Sequence, residues 1–152
     1  MYRSKELRPG LYVLSLDNHV EIAEALGAFC RGKGILAGEV RGLGAISEAT
    51  FRFLDPATKK YVDKCFSEQM EITNLTGNIS SKDGEVYLHL HITASRRDYT
   101  CVGGHLLSAR INGACELFVE DFGAWPCPSA DRPGTILSSR FDPETGLNLY
   151  DL

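Results

Sequence analysis

The segment EVYLHLHIT, residues 85–93, shows the clearest alternation of apolar and polar residues in the chain. Every second residue from Val86 to Ile92 is apolar, and His89 and His91 stand between them. Successive side chains of a β-strand point to opposite faces, so this period of two predicts a strand with one face buried in a core. The two imidazoles are then expected side by side on the other face.

Strand-like segments account for most of the remaining chain. They are residues 10–16, 35–40, 45–54, 60–66, 70–75, 102–111 and 114–120. Turn signals separate several of them, and we interpret Asn112–Gly113 as a two-residue hairpin turn. The sequence therefore predicts an α+β fold, with a largely antiparallel sheet of about seven or eight strands and one main helix, in a single domain spanning residues 1–152.

The helix is predicted to follow the first strand. Asp17 and Asn18 are candidate capping residues, and Glu21 stands three residues after Asn18, as in a capping box. The apolar residues at helical spacing are Ile22, Leu26 and Phe29. Nearby glycines predict an end close to Arg31. Beyond residue 122 the chain is rich in proline, glycine and aspartate, and we expect it to run irregularly over the surface.

The overall charge argues against a protein that binds DNA by itself. The 152 residues include 16 Lys and Arg against 20 Asp and Glu, which gives a net charge of −4. Duplex DNA is gripped mainly through its phosphates, which requires a basic surface, and the strongest basic cluster here is Arg96–Arg97. Association with DNA through a partner stays open.

The composition predicts a cytoplasmic protein. The sequence contains no run of 18 apolar residues, which is about the length needed to span a membrane. The first ten residues lack the apolar stretch of a secretory signal. The five cysteines form no Cys-x-x-Cys pair, which is typical of reduced thiols. We expect most of them to be small buried side chains, with Cys127 in its Pro-rich stretch as the exposed exception.

A metal site is the sharpest chemical hypothesis. His105 follows Gly103–Gly104 in the next predicted strand, and a sharp turn at these glycines would bring it beside the other two histidines. Neutral imidazole is a preferred ligand of zinc, and three protein ligands with room for water are typical of catalytic rather than structural zinc. The predicted ligands are His89, His91 and His105, with zinc as the first choice and nickel, iron or copper as alternatives.

Simpler interpretations exist for the same histidines. A His-x-His pair on a solvated strand face is by itself a weak signal, and His105 could be a partly buried polar residue after a glycine turn. His19, near the start of the helix, is interpreted as a surface or capping residue.

Two further motifs are interpreted structurally. The Gly42–Gly44 motif in RGLGA lacks the third glycine and the helix of a phosphate-binding loop, so we expect a turn or bulge. The aromatic residues Phe118, Phe122 and Trp125 alternate with acids, which favours a role in the core and in a subunit interface over base stacking.

The stretch LHLHITASRRDYTCVGGHLLSARINGACELFVE, residues 88–120, resembles the core of the PPC (plant and prokaryote conserved) domain. In that family a His-x-His strand leads through a polar loop to Gly-Gly-His-Leu and then to a strand with an acidic residue, matched here by Glu116. Residues 34–55 are similar to the family's first glycine-containing strand pair, and EQMEITNLTGNIS, residues 68–80, resembles its F-E-I-L-S-L-S-G stretch. The resemblance covers about residues 5–145.

The resemblance implies a homotrimer with an antiparallel α+β fold. Plant members carry AT-hooks beside the domain and regulate transcription, whereas prokaryotic members have no settled activity. This chain has no Arg-Gly-Arg-Pro core, since Asp131–Gly134 is interpreted as a turn, and Glu68–Gln69 stands where the plant contact motif has Gly-Arg. The resemblance therefore implies a stand-alone prokaryotic type with an undefined small-molecule or regulatory role.

The histidine pattern is also similar, more remotely, to the zinc site of acetolactate decarboxylase. That resemblance implies an alternative function, a zinc-dependent lyase or hydrolase acting on a small oxygenated acid. Glu39, Arg41 and Glu116 are candidate counterparts of its acidic and basic residues. Because one fold supports many reactions, whether the protein is an enzyme stays open at this point.

Overall fold

Nine β-strands and one α-helix make up the described part of the chain, which is residues 1–124 and 135–152 of this computed structural model. The elements are β1 Tyr2–Arg8, β2 Leu11–Leu16, α1 Ile22–Lys33, β3 Gly38–Asp55, β4 Lys60–Phe66, β5 Met70–Lys82, β6 Glu85–Ser95, β7 Cys101–Asp121, β8 Ser139–Asp142 and β9 Leu147–Tyr150. A 3₁₀ turn, Phe122–Ala124, follows β7. Asp131–Gly134, Trp125 and Cys127 lie outside the described residues.

Seven strands form one antiparallel sheet in the order β1-β2-β7-β6-β5-β3-β4, and a further pairing joins β7 to β3. That pairing closes β7, β6, β5 and β3 into a ring of strands. The two longest strands, β3 and β7, are therefore hydrogen-bonded along both edges. The inward side chains of the ring form the core together with the buried face of the helix. The prediction of a single α+β domain with a largely antiparallel sheet and one helix is confirmed.

The predicted hairpin turn at Asn112–Gly113 is wrong, because β7 runs unbroken for 21 residues. Residues 112–114 instead form a bulge opposite the single residue Ala45 of β3. Gly113 has φ +126°, and its N–H donates to Oδ1 of Asn18. The side-chain amide of Asn112 donates to Oε1 of Gln69 at 2.7 Å, and the backbone carbonyl of Asn112 accepts from Nε2 of Gln69 at 3.0 Å. With these partners for its polar groups, the strand bends without reversing.

The glycines of RGLGA also lie within a continuous strand, since β3 joins two segments that the sequence analysis kept apart. The register between β3 and β5 shifts between Gly42 and Gly44, so the expectation of a bulge is confirmed. A side chain on Gly42 would come within 2.5 Å of the Glu116 carbonyl oxygen. Glycine is therefore required here by the close approach of β7.

The helix is capped by a different residue than predicted. Glu21 is the N-cap, and its carboxylate accepts from the backbone N–H of Glu24 at 2.6 Å and from that of Ala109 at 2.9 Å. The helix ends at Gly34, whose φ of +70° is a left-handed cap, a little beyond the predicted end near Arg31. At 12 residues it is too short to cross a bilayer, and the described ranges contain no helix that could.

Two strand pairings were missed in the sequence. β1 is an edge strand whose residues after Tyr2 are exposed, so it carries no apolar periodicity. β8 and β9 form a hairpin where irregular structure was expected. Asp142 accepts from the N–H and hydroxyl of Thr145, and Gly146 adopts φ +76°. This turn chemistry makes a strand pair possible in a segment of low hydrophobicity.

The described cysteines and aromatic residues differ from expectation. Cys30 and Cys115 are buried, and burial raises the pKa of each thiol to about 12, but Cys65 and Cys101 are exposed. The expectation that most cysteines are buried therefore fails for two of the four described. Phe118 and Phe122 are about two-fifths exposed, so neither belongs to the core as expected.

Gly103 is the glycine whose replacement we expect to be most informative. It lies opposite Thr93 on β6, and a methyl group there would overlap the carbonyl oxygen of Ile92. Gly103→Ala should lower the free energy of unfolding by about 1–3 kcal/mol, the usual cost of overpacking. Gly32→Ala, in the helix with open space around it, should raise that free energy by about 0.5–1 kcal/mol. Urea unfolding measures both, and equal effects would contradict the close approach.

Candidate metal centre

Three histidines meet on the outer face of the sheet. His89 and His91 are two residues apart on β6, and His105 lies directly opposite His91 on β7. One ring nitrogen from each lies within 4.8 Å of the other two, and Nε2 of His89 is 3.2 Å from Nε2 of His91. The ring centroids are 4.9–5.4 Å apart. The structure thus brings together the three residues predicted as ligands.

The route by which His105 reaches the cluster differs from the prediction. β7 passes through Gly103 and Gly104 without a turn, and the chain reverses earlier, between Arg96 and Thr100. Ser95 pairs with Cys101, and counting along both strands places His105 opposite His91. Antiparallel register brings the imidazoles together, and Gly103 permits the strands to approach.

A row of directly paired residues crosses five strands at this level. Thr76 of β5 pairs with His91, His91 with His105, His105 with Arg52 of β3, and Arg52 with Asp63 of β4. Directly opposite residues of antiparallel strands share a face and have Cβ atoms about 4.5–5.5 Å apart. Arg52 and Asp63 therefore continue the row of histidines. The sequence analysis did not single out either residue.

Arg52 is held in place on two sides. Its Nε and Nη2 donate to the two carboxylate oxygens of Asp63 at 3.0 and 2.9 Å. Its guanidinium lies over the Tyr61 ring, 4.7 Å from the centroid, and that ring is 6.2 Å from the ring of His105. The hydrogen bonds from Arg52 lower the pKa of the Asp63 carboxyl. The guanidinium is thereby fixed next to the histidines.

A cleft of about 630 Å³ contains the histidine cluster. Its apolar lining includes Phe53, Leu54, Tyr61, Val62 and, from β9, Leu147. Apart from the histidines, the ionisable groups that line it within the described residues are Arg52, Lys64 and the Tyr61 phenol, and none is a carboxylate. The site combines three imidazoles that could hold a metal, cationic groups and an apolar wall.

The surroundings favour neutral imidazoles. Desolvation in the cleft lowers the pKa of His105 to about 4, and His89, His91 and Arg52 add to the effect while Asp63 opposes it. Desolvation, followed by the nearby His91, also lowers the pKa of His89. A neutral imidazole nitrogen is the form that binds a transition metal, so these ligands need not lose a proton near neutral pH.

The other candidate residues do not line this cleft. Arg41 of β3 pairs with Thr76 of β5, and Thr76 pairs with His91 of β6. One strand therefore lies between Arg41 and His91, which corresponds to about 10 Å from β3 to β6. Nη1 of Arg41 is 3.6 Å from Oε1 of Glu39, and the Arg41 guanidinium lies over the ring of Phe118. Arg41 and Glu116 line a separate depression. The described lining of the histidine cleft therefore does not include the candidate counterparts Glu39, Arg41 and Glu116. His19 is exposed and outside the cluster, as expected.

A closed antiparallel ring of strands with a Gly-Gly-His strand beside a His-x-His strand defines the class of protein. The family model of the Plants and Prokaryotes Conserved (PCC) domain matches residues 4–123. The chain belongs to this family, which confirms the resemblance to the PPC domain. No curated protein is significantly similar to the chain.

Two solved structures are similar over nearly their whole lengths. A protein from Bacteroides thetaiotaomicron, named "putative dna binding protein", is 52% identical with a TM-score of 0.89, and the match covers 99% of this chain and 97% of that one. A metal-containing protein from Archaeoglobus fulgidus is 33% identical with a TM-score of 0.80, over 95% of this chain and 96% of that one.

Acetolactate decarboxylase from Bacillus subtilis shares part of the fold. It is 15% identical with a TM-score of 0.52, and the match covers 71% of this chain and 51% of that one. The remote resemblance in fold is confirmed, and at this identity it extends to the fold alone.

The low pKa of His105 makes stability depend on pH. With a pKa of about 4 when folded, against 6.5 as the ordinary value, His105 takes up its proton first in the unfolded chain as pH falls. The metal-free protein should therefore lose stability from about pH 6.5 towards pH 4. In His105→Gln this loss should be smaller. Urea midpoints at several pH values with a chelator measure it, and identical pH profiles would contradict the assigned shift.

Proposed function

We propose that the chain is a homotrimeric metal-binding protein whose metal is held by His89, His91 and His105, and that it serves a small-molecule or regulatory role. The observation that carries the proposal is geometric: one nitrogen from each of the three imidazoles lies within 4.8 Å of the other two. Desolvation lowers the pKa of His89 and of His105, which favours the neutral form of both rings. Neutral rings this close together can bind one shared cation, whereas two charged imidazolium groups would repel at this distance.

Zinc is the metal we propose first. It accepts imidazole nitrogen and commonly has three protein ligands plus a water or substrate, for which it acts as a Lewis acid. Other divalent transition metals also accept three nitrogens. The metal-containing relative from Archaeoglobus fulgidus, 33% identical, supports a metal in this chain as well.

The assembly and location that we propose follow the family resemblance. Several large apolar side chains are exposed on the single chain, among them Leu43 and Phe118, and a trimer would bury part of such a surface. The four described cysteines are free thiols, which suits the reducing cytoplasm.

An enzyme is the second candidate. The cluster opens into a cleft of about 630 Å³, a volume that holds a small organic molecule. A metal in such a cleft could polarise a bound oxygen atom, as a lyase or hydrolase acting on a small oxygenated acid requires. Activity would then need a proton-transfer group, which the described lining supplies only through the histidines, Tyr61 and Lys64.

Metal analysis of single histidine variants tests the proposal. Purified without a histidine tag, the wild type should bind about one zinc per chain, and His89→Ala, His91→Ala and His105→Ala should each bind it at least about 100-fold more weakly. Loss of a direct ligand should exceed the 10–100-fold cost of losing an outer-shell partner. His19→Ala is the matched control, since His19 is the one histidine outside the cluster.

Light scattering on the same samples checks the assembly. All five proteins should have a mass of about 50 kDa, three times the 16.7 kDa of the chain. Equal metal content in all five would contradict the metal centre, and a 16.7 kDa particle at micromolar concentration would contradict the trimer.

DNA binding by the protein alone is not expected, although a relative is named for it. The net charge of −4 opposes contact with phosphates. In a mobility-shift assay the purified protein should leave duplex DNA unshifted at about 150 mM salt, and any complex at about 50 mM salt should be weak. A sub-micromolar complex at the higher salt would refute this expectation and favour a direct DNA-binding role.

A further inference from the structure

The cleft pairs positive charge with apolar surface. The lining cations are Arg52 and Lys64, and a divalent metal on three neutral imidazoles would add to this charge. Asp63 pairs with Arg52 and offsets part of this charge, but none of the described lining residues is itself a carboxylate. The cleft therefore favours an anion over a neutral or cationic ligand. This step rests on the proposed metal centre.

The wall opposes a highly polar anion such as inorganic phosphate or a sugar phosphate. Leu54 and Tyr61 are directly paired on β3 and β4 and line the cleft. Leu54 is two residues after Arg52, and Tyr61 is two residues before Asp63, so both share the strand face of the Arg52 side chain. Leu147 adds a third apolar group from β9. Apolar side chains that line a concave site gain stability when an apolar ligand covers them.

Arg52 provides a specific position for a carboxylate. Its Nε and one hydrogen of Nη2 point at Asp63, and no described residue accepts from the end-on edge of the planar group, which is formed by Nη1 and the second hydrogen of Nη2. That edge can donate two parallel hydrogen bonds to a carboxylate. Because Arg52 is directly opposite His105 in the sheet, an anion on this edge would lie near the metal ligands.

We propose that the cleft binds a small organic monocarboxylate with an apolar, aromatic or branched body. The carboxylate accepts from Arg52 beside the histidines that would hold the metal, and the body packs against Leu54, Tyr61 and Leu147. Arg52 determines specificity for the acid group. Asp63 is a positioning residue that holds Arg52, and Tyr61 covers the face of the guanidinium. A compact acid of this kind fits the cleft volume of about 630 Å³.

Calorimetric titration with three probes tests this ligand class. Phenylacetate carries the acid and an aromatic body, phenylacetamide has the same shape without the charge, and acetate lacks the body. Zinc-loaded wild type should bind phenylacetate at least about tenfold more tightly than either of the others. Equal binding of acetate would overturn the role of the apolar wall, and equal binding of phenylacetamide would overturn the anion site.

Variants of two arginines on the same strand test the assignment of Arg52. Arg52→Gln should weaken phenylacetate binding about tenfold or more, and Asp63→Asn should have a smaller effect because the guanidinium loses its anchor. Arg41→Gln is the matched control, since Arg41 lies on β3 outside the cleft. Arg52→Lys keeps the positive charge but loses the bidentate edge, so it should bind phenylacetate with intermediate affinity. This variant replaces Arg52→Gln in the test if Arg52→Gln does not fold. Unchanged binding in a folded Arg52 variant would overturn the assignment.

Zinc content separates this inference from the proposed function. If the wild type and Arg52→Gln both bind zinc but the wild type does not bind phenylacetate, only the proposed ligand class is overturned. Failure of the wild type to bind zinc overturns the metal centre. The metal-free protein should still bind phenylacetate, more weakly, and that residual binding should disappear in Arg52→Gln. Its persistence would overturn the contact with Arg52.

Discussion

The pairing of β6 with β7 is the constraint on which the candidate site depends. The two strands pair only over His91–Ser95 and Cys101–His105, and the histidine pair is the last one before the strands cease to pair. Beyond that point helix α1 packs against both strands. His91 and His105 therefore lie where the two strands diverge. Hydrogen bonds to neighbouring strands hold their backbones, and their imidazoles face the cleft. A cluster placed in this way loses little conformational entropy when a ligand binds, because the strands already fix it.

Much of this site is readable from sequence once the register is considered. The strict alternation in residues 85–93 correctly predicts which face carries His89 and His91. The position of His105 follows from a short reversal at residues 96–100 and from the register of the two strands that this reversal joins, and no turn at Gly103–Gly104 is needed. Local propensity favours a turn at two adjacent glycines. The structure instead uses Gly103 to let two strands approach, which is a long-range requirement that local sequence does not express.

Arg52, Tyr61 and Asp63 could not be found from sequence patterns for a related reason. They join the site only because β3 pairs with β7 on one edge and with β4 on the other, and residues about 50 positions apart become neighbours. The same limit explains the error at Asn112–Gly113. An Asn-Gly pair is a strong hairpin signal, yet here distant partners, Asn18 and Gln69, satisfy its polar groups and stabilise a bulge. Fold class follows from periodicity, whereas the contacts around a site follow from closure of the sheet.

The two halves of the cleft sit on parts of the sheet with different neighbours. His89, His91 and His105 belong to β6 and β7, which are paired inside the closed ring, whereas Tyr61, Val62 and Lys64 belong to β4, the edge strand. A substitution in a strand of the ring must fit neighbours on both sides, while the outer edge of β4 has no strand partner within the described residues. Evolution can therefore vary β4 while the histidines stay fixed. Members of one family would in this way keep the same histidine cluster and diverge in the molecules they recognise.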